Sequence, residues 1–555
     1  MKTQDPFTLE IIQNSLRAIS DEMFSTIGKT AMSPIIYEVL DMATAITDAD
    51  GELASAGSGI PAFVGALDKS VRAILDKYPD DAIREGDIYI TNDPFYGGVT
   101  HLNDVVLIKP VFADGERIAW VVNIAHWNDV GGKSPGSMSV DANEIYQEGI
   151  RIPAVKLFSN DELITSVMDM LLANSRMPDF LEGDLWAQIS ALRVGNKRIK
   201  ALAGKYGTAT FRDAIQGYLD FGELMAARTL KALPEGEYTL SEPQDDGSEL
   251  SVTIQVKAGQ LIIDLTQAPD QSDSPINISR DGTLLACQMA LMGLIGDREM
   301  ANGGCFRVMQ VKTRPGSLYD VKAPGACGIY FETMIRLNDL IWRALAENMS
   351  EHLPAGNFSS ICATIMGGTH PDTGKHYSII EPEIGGWGGG PGGDGANAMF
   401  CAMHGDTFNC PAEVAETRYG VTVGQMALNP EDGGAGEFRG GKGIVIDYKI
   451  RSDNSFVTCA YTRSVVPPWG LKEGHNGTAN RIEVIRDDGS SERYAMATGI
   501  NVNTGDTVRV ITANGAGYGK PENRSQAAIE QDLKNGYVTV EYARSVYGFN
   551  QSGSR

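Results

Sequence analysis

Two strand-like runs, Asp104 to Phe112 and Ile118 to Ala125, flank Ala113-Asp-Gly115, and this signal constrains the fold more than any other stretch. An Asp-Gly pair between apolar runs favours a tight hairpin, because both residues accept positive φ at low cost. Pairing about that turn brings Asp104 and Ala125-His126 to the same open end. His101 precedes Asp104 by three residues, so the spacing gathers His101, Asp104 and His126. Two imidazoles and a carboxylate suit a divalent metal ion of the Zn, Mn, Fe or Co type. In a cleft such an ion polarises a carbonyl or activates water. Asp41, where a loop enters the strand Met42 to Ile46, adds a possible oxygen donor, as do Asn92, Asp93 and Asp129 in glycine-punctuated turns. The plainer alternative is a pair of buried histidines satisfied by hydrogen bonds. His352, His370, His376, His404 and His475 lack ligand spacing and read as ordinary surface or core residues.

The rest of the chain supplies a scaffold. Asp5 can cap a first helix, Pro6 suits its first position, and Ile12, Leu16, Ile19, Met23 and Ile27 follow at helical spacing. Residues 164–221 read as amphipathic helices, and short strands and turns begin near Pro234. Helices are expected at 283–297 and 330–350, strands and glycine turns from about 420, and a short helix at Gln526 to Lys534. The fold class is α/β to α+β, a multi-region mixed-sheet protein with an N-terminal helix and a glycine-rich, β-dominated C-terminal part. Three regions are expected: 1–235, metal-binding; 236–420, central α/β with a glycine-rich loop; and 421–555, β-rich.

Composition removes several function classes. Lys plus Arg is 47 against 71 for Asp plus Glu, a formal charge of −24 that repels nucleic acid and anionic membranes. No window has the roughly 20 apolar residues of a membrane span, and the start lacks the apolar core of a signal peptide, so a cytoplasmic location is expected. The seven cysteines contain no C-x-x-C pair and read as reduced, buried thiols, with Cys305 in Asn302-Gly-Gly-Cys-Phe-Arg307 the one candidate nucleophile. Ile384 to Gly395 holds eight glycines in twelve residues, but Pro391 interrupts it and no β-α-β unit surrounds it. Gly436 to Gly443 approaches a phosphate-binding loop, yet lacks the Ser or Thr for magnesium and runs into the strand-like Ile444-Val-Ile-Asp-Tyr-Lys. Both stretches fit close backbone packing or a substrate-lining loop with positive-φ positions better than a nucleotide site.

Several motifs together resemble the hydantoinase B/oxoprolinase family. They include Gly86-Asp-Ile-Tyr-Ile-Thr-Asn-Asp-Pro94, Gly97-Gly-Val-Thr-His-Leu-Asn-Asp104, His126-Trp-Asn-Asp-Val-Gly-Gly132 and Glu144-Ile-Tyr-Gln-Glu-Gly-Ile-Arg-Ile-Pro153. Gly183-Asp-Leu-Trp-Ala-Gln188, Asn409-Cys-Pro-Ala-Glu413, Gly433-Gly-Ala-Gly-Glu-Phe-Arg-Gly-Gly441 and Gly515-Ala-Gly-Tyr-Gly519 continue them in order. The resemblance implies a metal on His101, Asp104 and His126, with Asp41 as fourth ligand. It also implies a hetero-oligomer in which a separate α-type, hydantoinase A-like subunit carries ATP and Mg and phosphorylates a cyclic amide, hydantoin or lactam. Asp129 or Glu148 is the candidate general base. The alternatives are a subunit of an acetone- or acetophenone-type carboxylase, a non-catalytic scaffold, and a stand-alone metallohydrolase. Two departures bear on substrate contacts: Tyr37-Glu-Val-Leu-Asp41 lacks the basic residue frequent before the aspartate in relatives, and Ala516 interrupts the C-terminal glycine run.

Overall fold

The structure, a computed structural model, describes residues 6–296, 301–405 and 407–549. The chain folds as two compact units and returns to each more than once. One comprises Met1–Glu237, Ile254–Met334 and Met403–Phe408; the other comprises Tyr238–Thr253, Ile335–Ala402 and Asn409–Arg555.

The first unit opens with helix α1, Pro6–Thr30, which buries Ile12, Leu16, Ile19, Met23 and Ile27 as their spacing requires. Burying aliphatic side chains of this size contributes about 1.5–3 kcal/mol each, against about 1 kcal/mol for an N-cap. Packing therefore holds this helix; Asp5, the expected cap, lies outside the described residues.

A seven-stranded sheet follows, built from β1 (Met42–Asp48), β2 (Leu53–Gly59), β3 (Ile88–Thr91), β4 (Asp104–Ala113), β5 (Glu116–His126), β6 (Val155–Ser159) and β7 (Glu162–Leu163). Its order is β2-β1-β5-β4-β3-β6-β7 and every neighbouring pair is antiparallel. The hairpin forms as expected: β4 and β5 are joined by Asp114 and Gly115 alone, both at positive φ, 52° and 81°. In β4 all eight residues from Asp104 to Val111 are buried, because helices Pro61–Lys77 and Pro178–Tyr206 both pack on this sheet. The near-continuous apolar run in the sequence is the signature of that coverage.

Gln188, from the Gly183–Gln188 motif, ties the long helix to the sheet. Fully buried, it donates to Val105 O (2.9 Å) and Asn123 Oδ1 (3.1 Å) and accepts from Trp127 Nε1 (2.9 Å). Asp184 of the same motif accepts from Met32 N (2.7 Å), Ser33 N (3.0 Å) and Ser33 Oγ.

In the second unit two antiparallel sheets form. One has the order His376–Glu381, Ala363–Thr369, Ser455–Ala460, Met496–Val502; the other runs Val421–Leu428, Ile444–Ile450, Thr507–Ile511, Arg481–Ile485, Ser491–Tyr494. The glycine-rich run between them is extended backbone laid against other backbone. Gly386 N donates to Ala513 O (2.9 Å), Gly389 N to Ala516 O (2.8 Å), and Gly441 N to Trp387 O (2.7 Å). A Cβ at Gly441 would run into the carbonyl of Ala396. Only Gly392 of the Gly385–Gly395 glycines has positive φ, so close approach rather than turn geometry demands this composition. No described helix is long and apolar enough to cross a membrane. All seven cysteines, Cys305 among them, are buried and outside any disulfide.

Candidate metal centre

The hairpin register sets the site. Asp104 pairs with His126 across β4 and β5, while His101 sits in the turn that leads into β4 and accepts from Asp104 N through its carbonyl (3.2 Å). The same sheet brings in Asp41: β1 pairs with β5, Met42 opposite Ala125, and His126 N donates to Asp41 O (3.0 Å). Leu40, at φ 63°, turns the chain into that strand.

Three side chains converge. Ligand atoms of His101, Asp104 and His126 all lie within 4.8 Å of one another, and all three residues are buried. His101 Nε2 is 3.3 Å from Asp104 Oδ1, and the two imidazole rings are 5.2 Å apart. His101 Nδ1 lies 3.0 Å from Gly328 O, so Nδ1–H donates there and Nε2 faces the carboxylate. Asp104 Oδ2 accepts from Thr100 Oγ1 and from Tyr330 OH (3.0 Å), which leaves Oδ1 for the centre. Asp104 Oδ1, His126 Nδ1 and Asp41 Oδ1 are buried atoms without a hydrogen-bond partner. Leaving such atoms unmet costs about 1–3 kcal/mol each, more when charged. Unmet oxygen and nitrogen donors in a buried cluster fit a divalent cation, and these are the donor types Zn, Mn, Fe and Co accept. Asp41 stands beside the trio rather than inside its 4.8 Å limit.

The electrostatics follow from this packing. Burial pushes the Asp41 carboxyl well above the usual range, the Asp104 charge adds to the push, and His101 partly opposes it. For Asp104 burial is outweighed by His101, His126 and Thr100, so its pKa is lowered. Burial disfavours a charge on His101, but Asp104 prevails and its pKa is raised. His126, buried and facing His101, falls to about 4.

Known proteins share this architecture along the whole chain. Residues 5–521 match the hydantoinase B/oxoprolinase family. The chain belongs to the hydantoinase B/oxoprolinase family. Among its relatives, an uncharacterised protein of Methanocaldococcus jannaschii is 33% identical over 98% of this chain and 96% of its own length. The beta chain of the caprolactamase of Pseudomonas jessenii is 30% identical over 99% of this chain and 96% of that one. The crystal structure of the ATP-dependent caprolactamase from Pseudomonas jessenii superposes with a TM-score of 0.91 at 27% identity, covering 100% of this chain and 98% of that chain. A nucleotide-free acetone carboxylase shares the fold, with a TM-score of 0.89 at 18% identity over 99% of this chain and 80% of that one.

Within this hydantoinase B/oxoprolinase fold the remaining candidates occupy distinct places. Asp129 lies outside the converging trio, and its carboxylate accepts from Gly131 N (3.0 Å), Gly136 N (3.1 Å), Arg176 N (3.0 Å) and Arg176 Nη1 (3.0 Å). Glu148 lies nearer: it feels the charge of His101, and its oxygens accept from Cys327 N and Gly328 N. Burial pushes Glu148 up to about 7 against the pull of those two N–H groups. Asn92 ties loops together, donating to Leu102 O (2.7 Å) and Ile150 O (2.9 Å). Asp93 pairs with Arg151 Nε at 3.0 Å.

Sequence reasoning missed Thr100, Tyr330 and His404. Thr100 adjoins His101 and could have been noticed. Tyr330 begins helix Tyr330–Ala346, far along the chain, and its ring stands 4.9 Å from that of His101. His404 is buried, its Nδ1 is 2.7 Å from Thr407 Oγ1, and it lies within electrostatic range of His126 and Asp104. Burial together with the His126 charge lowers His404 to about 3.

Proposed function

We propose that this chain is the metal-bearing subunit of an ATP-dependent cyclic-amide hydrolase that opens a hydantoin or lactam ring. The observation that carries the reading is the convergence of His101, Asp104 and His126 within 4.8 Å at the open end of one hairpin, with buried donor atoms on Asp104, His126 and the neighbouring Asp41 left without a hydrogen-bond partner. The names of two relatives point the same way: the B-type subunit of a putative D-/L-hydantoinase of Pseudomonas sp., 28% identical over 99% of this chain, and the beta chain of the caprolactamase. Those names also support a partner subunit, here an α-type, hydantoinase A-like ATPase that binds ATP and Mg and phosphorylates the amide oxygen. An unstrained amide is a poor electrophile, and phosphate is the better leaving group.

His101, Asp104 and His126 would hold a divalent ion, with Asp41 as the fourth donor. A bound ion there supplies a Lewis acid and a water of lowered pKa. The chain's own residues do the arranging. Thr100 and Tyr330 hold Asp104 Oδ2 so that Oδ1 stays available, and Gly328 holds His101 Nδ1–H so that Nε2 does. His404 stays neutral beside them at physiological pH, adding no charge to the centre.

Metal analysis of the purified chain and of its His101→Ala/His126→Ala variant tests the reading. Near-stoichiometric zinc, manganese, iron or cobalt in the first and its loss in the second is expected. With the partner co-expressed, ATP-dependent opening of hydantoins or lactams should follow. Turnover that survives loss of the ion would sink the mechanism, and labelled bicarbonate carbon retained in a product would move the chain to ketone carboxylation.

A further inference from the structure

We infer that Glu148 is a positioning residue that acts through Gly328 to orient His101 toward the ion. The inference rests on the metal reading above and assigns a residue to it.

The geometry is a short relay. Glu148 is 2% exposed, and its Oε1 accepts from Cys327 N at 2.9 Å and Gly328 N at 2.6 Å, with Oε2 3.1 Å from Cys327 N. Gly328 is thereby held from one side by a carboxylate, and its own carbonyl receives His101 Nδ1–H at 3.0 Å on the other. Closeness on the carboxylate side also explains the glycine: a Cβ at 328 would stand 2.9 Å from Glu148 Oε1. A histidine that binds metal through one nitrogen needs its other N–H fixed by an acceptor, because that bond sets both tautomer and ring angle. Here the acceptor is a backbone carbonyl, and Glu148 fixes the residue that bears it.

The segment Gly328–Phe331 extends the clamp. Tyr330 reaches Asp104 Oδ2, and the Phe331 ring meets His101 edge-on with centroids 6.4 Å apart. Moving Gly328 therefore disturbs two ligands at once. A general base needs an oxygen free to take a proton from water or substrate. Glu148 Oε1 already accepts two backbone N–H bonds and Oε2 shares one of them, so the carboxylate is aimed at the backbone of residues 327–328.

The test compares the full-length protein with Glu148→Gln, and with Gly328→Ala, which pushes the same residue from the other side and keeps the carboxylate should the first variant fail to fold. Cobalt affinity is read by competition with a chromophoric chelator, and ligand geometry by the visible spectrum of bound cobalt. The relay requires affinity to fall by about 10–100-fold in either variant, the range typical for a lost outer partner of a metal ligand, with an altered spectrum. Unchanged affinity and spectrum in both variants overturn the relay, and if turnover is then lost in Glu148→Gln the residue is a base after all. Absence of cobalt binding by the unsubstituted protein overturns the metal reading itself, and the relay with it, so the two failures are told apart by the wild-type sample.

Discussion

Replacing Glu383 by Gln should flatten the alkaline side of the protein's stability profile. Glu381 and Glu383 are fully enclosed in the second unit, and among the described residues no cation pairs with either carboxylate. Asn409 Nδ2 donates to Glu381 Oε2 (3.0 Å) and Glu383 Oε2 (3.3 Å), Cys410 N donates to Glu381, and Glu383 Oε1 has no partner among the described residues. Tyr448 and Tyr461, the other titratable groups that sense this pair, stay neutral because burial pushes both phenols far up. Two charges cannot be sustained side by side in such a place. Burial pushes Glu381 up to about 7, and burial together with Glu381 pushes Glu383 higher. For an acid with a raised folded-state pKa, the stabilisation is complete below the unfolded value and is lost as pH rises through the folded one. A rise from 4.5 to about 7 corresponds to about 3 kcal/mol for Glu381. The Glu381 share of the loss should therefore run from about pH 4.5 to about pH 7, with Glu383, raised in the same direction, adding to it. Glutamine at 383 removes one titrating partner and the repulsion it exerts. The Glu381 share, about 3 kcal/mol, persists in Glu383→Gln, so urea unfolding at pH 5.5, 7 and 8.5 should show the unsubstituted protein losing more stability than Glu383→Gln across that range, the excess being the share of Glu383. Parallel pH profiles for the two proteins would refute the reasoning.

Other perturbations have equally definite outcomes. Gln188→Leu leaves Trp127 Nε1, Val105 O and Asn123 Oδ1 without this partner in the interior, so unfolding in urea should become easier by about 3 kcal/mol or more. Arg463→Met removes one buried cation that meets Glu242 (3.1 Å) and Asp339; because Arg336 still pairs with both carboxylates and Arg343 with Glu242, the loss should be about 1.5–3 kcal/mol by the same measurement. Gly441→Ala, whose Cβ meets the Ala396 carbonyl, should abolish soluble expression. Gly393→Ala, with nothing within 4 Å and no positive φ, should stay within about 0.5 kcal/mol of the parent.

Local information made the convergence of His101, Asp104 and His126 legible. An Asp-Gly turn fixes the β4–β5 register, and that register puts Asp104 opposite His126. α1 was equally plain, because a five-residue apolar stripe is a property of the sequence alone. What escaped depends on contacts between distant segments. Nothing around Tyr330 distinguishes it from any aromatic residue opening an amphipathic helix, and nothing around His404 shows that residues 403–408 return to the first unit. Reading the chain as consecutive regions has no means to register such returns. The glycine-rich run was readable as close packing, but its several backbone partners lie far along the chain and leave no periodic trace.

The donors and their supports also differ in when they are made. Asp41, His101, Asp104 and His126 lie within the first quarter of the chain, on or just before the paired strands β1, β4 and β5. The residues that orient and enclose them, Gly328, Tyr330 and His404, are translated far later. A nascent chain thus carries the four candidate donors for more than a third of its synthesis before Gly328 and Tyr330 exist to orient them. For the centre as proposed, the groups that orient the donors arrive last, so selection among ions would depend on folding order as much as on donor chemistry.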